Sequence, residues 1–142
     1  MQFVASHALV RSPEVAFDLL ADLRNQAHWS GAPIETELLT EEPIGAGSRF
    51  HAVHGGREYE ATITAYHRPD LLRIEVLGAH LTVKGEFVFA SAAGGALLDA
   101  VVDISAKGAM RLVLPTFRGT IAAELPKEAA SFARYCEAQT TV

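Results

Sequence analysis

Ser12-Pro13-Glu14-Val15-Ala16-Phe17-Asp18-Leu19-Leu20-Ala21-Asp22 is the stretch that decides how the rest of the chain is read. Residues 2 to 10 before it alternate and carry β-formers, and at Arg11-Ser12-Pro13 the period changes to that of a helix. The start is well marked. The Ser12 hydroxyl can accept from an otherwise unpaired amide, Pro13 suits the first helical position, and Glu14 complements the positive end of the helix dipole. Val15 and Leu19, then Ala16, Leu20 and Leu23, stack beside Phe17 into a broad apolar face that has to be buried. A second short helical turn is expected between Leu23 and Trp29.

From residue 34 the period becomes two, and turn signals punctuate it at Gly45-Ala46-Gly47, Gly55-Gly56, Pro69-Asp70, Gly78 and Gly94-Gly95. They delimit six strands, over 34–41, 48–54, 57–67, 71–77, 80–90 and 96–106. Links this short require antiparallel neighbours, because a parallel pair needs a crossover of about a dozen residues or more. With the first strand the expectation is a seven-stranded antiparallel sheet. Beyond Gly108 the spacing is helical again: Leu114, Phe117, Ile121, Leu125, Ala129, Phe132 and Cys136 line one face of a long helix. Pro126 interrupts that helix, removes a donor and presses on the carbonyl of Ala122, so a kink is predicted there.

Alternation sorts the strand side chains. Tyr59, Ala61, Ile63 and Ala65 share one face against Glu58, Glu60, Thr62 and Thr64; Leu81, Val83, Gly85, Phe87 and Phe89 oppose His80, Thr82, Lys84 and Glu86. Leu72, Ile74 and Val76 continue the apolar side, as do Leu98, Ala100, Val102 and Ile104 against Asp99 and Asp103. Such a sheet needs a cover, and the long helix carries the matching stripe. Small residues on the inner face, Ala52, Ala61, Ala65, Gly85 and Ala100, lie opposite a helix bearing Ala122, Ala123 and Ala129. A curved sheet then leaves a cavity unless Phe50, Phe87, Phe117 and Phe132 fill it.

The 142 residues are read as one domain, 1–142, with one core; a chain of this size buries about 68–70% of its unfolded surface. A hydrophobic fraction of 49% with 20% charged residues is ordinary for a globular protein. A net charge of -5 with no basic stripe argues against nucleic acid, and against an anionic membrane surface as the main partner. Met1-Gln2-Phe3-Val4-Ala5-Ser6 has no basic start and no long apolar run, so neither a signal peptide nor stable membrane insertion is expected, and the location is read as cytoplasmic. The single cysteine, Cys136, allows no internal disulfide and reads as a small apolar helix residue.

Candidate chemistry thins out on inspection. Gly45-Ala46-Gly47 precedes a strand rather than a helix, so it reads as a tight turn and not as a phosphate loop. His51 and His54 fall on opposite faces of a strand and cannot chelate together; His28, His67 and His80 lie at element ends. Asp99 and Asp103 share a face but stand roughly 13 Å apart, too far for a working carboxylate pair. Neither a metal nor a cofactor is expected. Trp29, Tyr59 and His54 remain: Tyr59 is predicted inward with a hydroxyl that needs a partner, Trp29 is placed at the cavity mouth, and His54 at its rim.

The run from Ser12 to Asp22, followed by His28-Trp29, Glu37-Leu38-Leu39-Thr40, Gly45-Ala46-Gly47-Ser48-Arg49-Phe50, Thr64-Ala65-Tyr66-His67-Arg68-Pro69 and the proline-interrupted last helix, resembles the SRPBCC (START-like) superfamily of polyketide cyclases, dehydratases and lipid-transfer proteins. The likeness spans nearly the whole chain. It implies an α+β helix-grip fold, with the sheet wrapped around the last helix to enclose a hydrophobic cavity. No catalytic signature is available to transfer. The function expected is the binding or carrying of a hydrophobic small molecule such as a lipid, polyketide, quinone or aromatic metabolite. The alternatives are a polyketide cyclase or dehydratase using Tyr59 and His54 as proton donor and acceptor, with Trp29 positioning an aromatic ring, and an interaction module with a closed core. The sheet residues expected to touch a ligand are Phe50, His54, Tyr59, Ile63, Ile74, Leu81, Phe87 and Val102. Trp29, Phe117 and Ile121 join them from the helices. Oligomeric state is left open, a homodimer included.

Overall fold

The structure, a computed structural model, describes residues 1–139. Strand β1 (Gln2–Leu9) leads into α1 (Pro13–Ala21), a 3-10 turn at Leu23–Asn25 and α2 (Gln26–Trp29). Six strands come next: β2 (Ile34–Leu38), β3 (Arg49–His54), β4 (Arg57–His67), β5 (Leu71–Gly78), β6 (Leu81–Ala92) and β7 (Gly95–Ala106). They form one seven-stranded antiparallel sheet in the order β1-β7-β6-β5-β4-β3-β2. The short α3 (Met110–Val113) and a 3-10 turn (Leu114–Phe117) lead into α4 (Arg118–Ala138).

The cap that marks α1 forms as its residues dictate. Ser12 Oγ accepts from the Val15 amide at 3.3 Å, the Ser12 carbonyl accepts from Ala16 at 3.0 Å, and Pro13 occupies the first turn. Phe17 is fully buried and meets Tyr66 (5.0 Å, edge-on) and Phe89 (5.7 Å, edge-on). Outside this contact, Arg68 donates twice to Asp18, at 2.7 and 2.9 Å, and ties α1 to the β4–β5 turn. These pairings seat α1 across the end of the sheet where β4 finishes and β5 begins.

Tyr66 reaches Phe17 because of a departure from strict alternation. Ile63 faces Ile74, but the next register pair is Ala65 with Arg73, so Thr64 is the extra residue of a β-bulge. The bulge reverses the faces beyond it. Ala65, expected inward, joins the outer face with Arg73, and Tyr66 turns inward opposite Leu72. Two further expectations change at glycines. Gly78 is the last residue of β5 and not a turn residue; it pairs with Tyr59, whose ring lies so close that a Cβ would stand 2.7 Å from Cε1. Gly85 leaves no void, because the Phe87 ring lies over it, 2.8 Å from where a Cβ would sit.

The last helix divides into two halves. The stripe read from the sequence starts as expected at Leu114, but Pro115 falls in a 3-10 turn and regular helix begins only at Arg118. Helix α4 then runs through Pro126. Leu114, in the 3-10 turn, is buried at 8% exposure. After it burial falls away and then rises again along α4. Phe117 is 48% exposed, Ile121, Leu125 and Ala129 are half-buried, and Phe132 and Cys136 are 1% and 0% exposed. Burial of the Cys136 thiol pushes its pKa up to about 11, which leaves it protonated and inert at neutral pH. The core gathers Phe17, Leu20, Phe50, Ile63, Leu72, Phe89 and Leu98 around Phe132 and Cys136.

The gradient has a measurable energetic consequence. Phe132→Ala is expected to cost about 3–5 kcal/mol, the range for emptying a packed aromatic site, whereas Phe117→Ala should cost less than about 0.5 kcal/mol, as at an exposed position. Urea denaturation of both variants checks this, and equal losses would contradict the division of α4.

Candidate functional site

Cross-strand register fixes which residues share the concave face. One row runs Thr36, Ala52, Tyr59, Gly78; the next runs Leu38, Phe50, Ala61, Val76, Val83, Ile104. A third begins at Ile63 and Ile74 and continues through Gly85 and Val102 to Phe3. Along these rows burial is uneven. Phe50, Ile63 and Ile74 are buried in the core, whereas Leu81, Val83, Val102 and Ile104 stand outside it and remain partly exposed, although they occupy central strands on the same apolar face. Phe87 and Val76 mark the border, half-buried and packed against the core.

The partly exposed region lies at the end of the sheet remote from α1. Phe17 packs where Tyr66 and Phe89 sit, while Tyr59 and Leu81 belong to the opposite ends of β4 and β6. Two adjoining clefts open there. One, of about 400 Å³, is lined by Arg57, Glu58, Tyr59, Ala79, His80 and Leu81. The other, of about 490 Å³, shares Arg57, Ala79 and His80 and extends past Lys107, Gly108 and Ala109 to Met110 and Val113. Both are open to solvent and neither is an enclosed cavity. Tyr59 and Leu81 belong at once to the mouth and to the inner face.

The residues singled out from the sequence therefore separate into groups. Tyr59 and Leu81 line the first cleft; Phe87 and Val102 from the sheet and Ile121 from α4 are half-buried but line neither cleft, and Phe117 is exposed. His54 sits exposed at the end of β3, its ring 6.5 Å from that of Tyr59. Phe50, Ile63 and Ile74 form the closed floor. Trp29 does not stand free: it packs edge-on against Phe132 at 5.3 Å, in the half where α4 is buried.

The other candidates fall on the wet face or in turns. His51 lies across from Glu37 and Glu60 with Nε2 3.3 Å from Glu58, on the face opposite His54. Asp99 accepts from the Ser6 hydroxyl on the outer face. At Gly45-Ala46-Gly47 the Ser48 amide donates to the Gly45 carbonyl at 3.1 Å and the Gly45 amide to Ser48 Oγ at 2.9 Å, a self-satisfied turn. Among the described residues no group of three His, Cys, Asp or Glu side chains is arranged to hold a metal ion, and no helix is long and apolar enough to cross a membrane.

No family model matches the chain, and no curated protein matches it in sequence. Solved structures match it throughout its length. MLL2253 from Mesorhizobium loti is 14% identical with a TM-score of 0.75, covering 99% of this chain and 100% of its own. Ara h 8.0201 is 16% identical with a TM-score of 0.71, over 98% of this chain and 99% of its own. DynU16, a protein in the dynemicin biosynthetic locus, is 14% identical with a TM-score of 0.69, over 96% of this chain and 47% of its own. This is a helix-grip fold. At these identities the likeness speaks for the fold alone.

Within the helix grip the sequence reading passed over one interior polar group. Thr36 lies on the same face as Ile34 and Leu38, a position that the alternation Ile34-Glu35-Thr36-Glu37-Leu38 already contains. Its Oγ1 is buried and has no hydrogen-bond partner among the described residues. An unpaired buried hydroxyl costs about 1–3 kcal/mol. Thr36→Val keeps the shape and removes that group, so the ligand-free protein should gain about 1 kcal/mol in thermal denaturation. A loss of stability would show that the hydroxyl is satisfied after all.

Proposed function

We propose that this chain is a member of the SRPBCC superfamily that binds a hydrophobic small molecule between the first half of α4 and the open half of the sheet. The observation that carries the reading is the burial gradient: the inner face is predominantly apolar, yet the only fully buried residues of α4 are Phe132 and Cys136, in its C-terminal half. Apolar surface left partly in water at the concave side of a sheet is surface that a ligand can bury, at about 25 cal/mol per Å². Leu81, Val102, Phe87 and Ile121 would form the walls, Phe117 the outer lip, and Phe50, Ile63 and Ile74 the floor behind them. Tyr59 and His54 would meet the ligand at the mouth, and Thr36 offers one hydrogen-bonding group inside. Trp29 would act from behind, by holding Phe132 and hence the helix.

The test uses a neutral apolar fluorophore, N-phenyl-1-naphthylamine, titrated into the protein and into Val102→Trp and Ile104→Trp. Each indole would occupy the space assigned to the ligand. The wild type is expected to bind the probe with enhanced fluorescence, and each variant to bind it at least about tenfold more weakly, roughly 1.4 kcal/mol, while keeping its far-UV circular dichroism. Undiminished binding by folded variants would remove the site from this half of the sheet, and no binding by the wild type would overturn the reading.

A further inference from the structure

We propose that the mouth of this site holds the anionic head of an amphipathic ligand, with Arg57 and Lys107 as its counter-charges and the ligand's apolar body directed over Leu81 into the open half of the sheet. The inference rests on the ligand-binding reading above and specifies the ligand class.

The support comes from how the cations of the chain are partnered. Arg24, Arg49, Arg68, Arg73, Lys84 and Lys127 each lie within 4.0 Å of a carboxylate. Among the described residues the other six have no such ion pair: Arg11 donates to the Glu137 and Gln139 carbonyls, Arg118 lies over the Phe3 ring and Arg134 donates to Ser131 Oγ, whereas Arg57, Lys107 and Arg111 make no side-chain hydrogen bond either. In a chain of net charge -5 the cations without carboxylate partners include the two that line the cleft. The stretch 107–118 reinforces them: it carries Lys107, Arg111 and Arg118 and no Asp or Glu.

Backbone geometry brings the two together from distant parts of the sequence. Arg57 opens β4 opposite His54, immediately after the Gly55-Gly56 turn. Lys107 comes directly after β7, and its amide donates to the His80 carbonyl at 2.9 Å, which pins the β7–α3 junction to the β5–β6 turn. Arg57, His80 and Lys107 thus border one cleft whose remaining lining includes Met110 and Val113. Glu58, the acidic residue at the neighbouring cleft, has its carboxylate 3.3 Å from His51 on the outer face. A guanidinium fork suits a carboxylate or a phosphate monoester, and an ammonium beside it adds a point charge. The adjacent apolar side chains suit the hydrocarbon body attached to such a head group.

Isothermal titration calorimetry of three ligands with the same twelve-carbon chain separates charge from apolar burial: dodecanoate and dodecyl phosphate below their micellar concentrations, and dodecanol below its solubility limit, with the protein in the syringe. At low salt at least one of the two anions is expected to bind about tenfold more tightly than the alcohol, the size of a charge-assisted contact. The stronger anion identifies the head. In Arg57→Gln/Lys107→Gln that anion-to-alcohol ratio should fall towards one. In the wild type it should shrink in about 1 M salt, where the screening length is about 3 Å. Both side chains are exposed, so the double variant should keep the wild-type melting temperature. A ratio near one in the wild type, or a ratio unchanged in the double variant, overturns this inference and leaves the ligand-binding reading standing. Binding of none of the three overturns both.

Discussion

Phe132 is the point at which the helices and the sheet of this molecule are joined. It is 1% exposed, meets Trp29 edge-on, and lies in the same core as Phe17, Phe50, Ile63 and Cys136. It joins the last helix to α2 and to the core that α1 and the sheet already share through Phe17, Tyr66 and Phe89. The arrangement suits the physics of a curved sheet, because a straight helix laid across a concave surface can touch it closely over only part of its length. Here the close part is the C-terminal half of α4. In the other half Arg118 lies over the ring of Phe3 in β1, and Phe117 just before the helix is exposed.

The placement of that contact accounts for the other features. While α1 closes the same end through Phe17, Tyr66 and Phe89, the far end is bordered by α3 and the buried Leu114, and Leu81, Val83, Val102 and Ile104 stay partly in water. The turns at that end, together with the junction into α3, become the rim. It is lined by residues of mixed character: Tyr59, Leu81, Met110 and Val113 beside Arg57, His80 and Lys107. The outer face keeps its charges paired across strands, as with Arg49 and Glu60 or Arg73 and Glu86. The rim leaves its cations without such partners.

Much of the architecture is legible in the sequence because it depends on local chemistry. Ser12 and Pro13 announce α1, two-residue periodicity announces the strands, and the stripe from Leu114 to Cys136 announces the helix that covers them. Sequence and structure part where a single residue shifts a pattern. Thr64 adds one position to β4, and no composition signal distinguishes a bulged threonine from a paired one; its effect is to exchange the roles of Ala65 and Tyr66. Gly78 resembles a turn residue because glycine usually marks one, but here its missing side chain makes room for the Tyr59 ring. The candidate site is less completely legible. Inward strand positions can be named, yet which of them are buried depends on how far α4 follows the sheet, a tertiary property that periodicity does not encode. Sequence position alone does not reveal that Trp29 packs edge-on against Phe132.

Hydrogen–deuterium exchange along α4 tests the central claim, that this helix is anchored to the core by its C-terminal half and is loosely packed over its first half. Amides of residues 129–138 are expected to exchange only at the rate of global unfolding, and those of residues 118–125 at least about tenfold faster through local opening. Uniform protection along the whole helix would contradict the account, because it would mean that the first half is packed as firmly as the second.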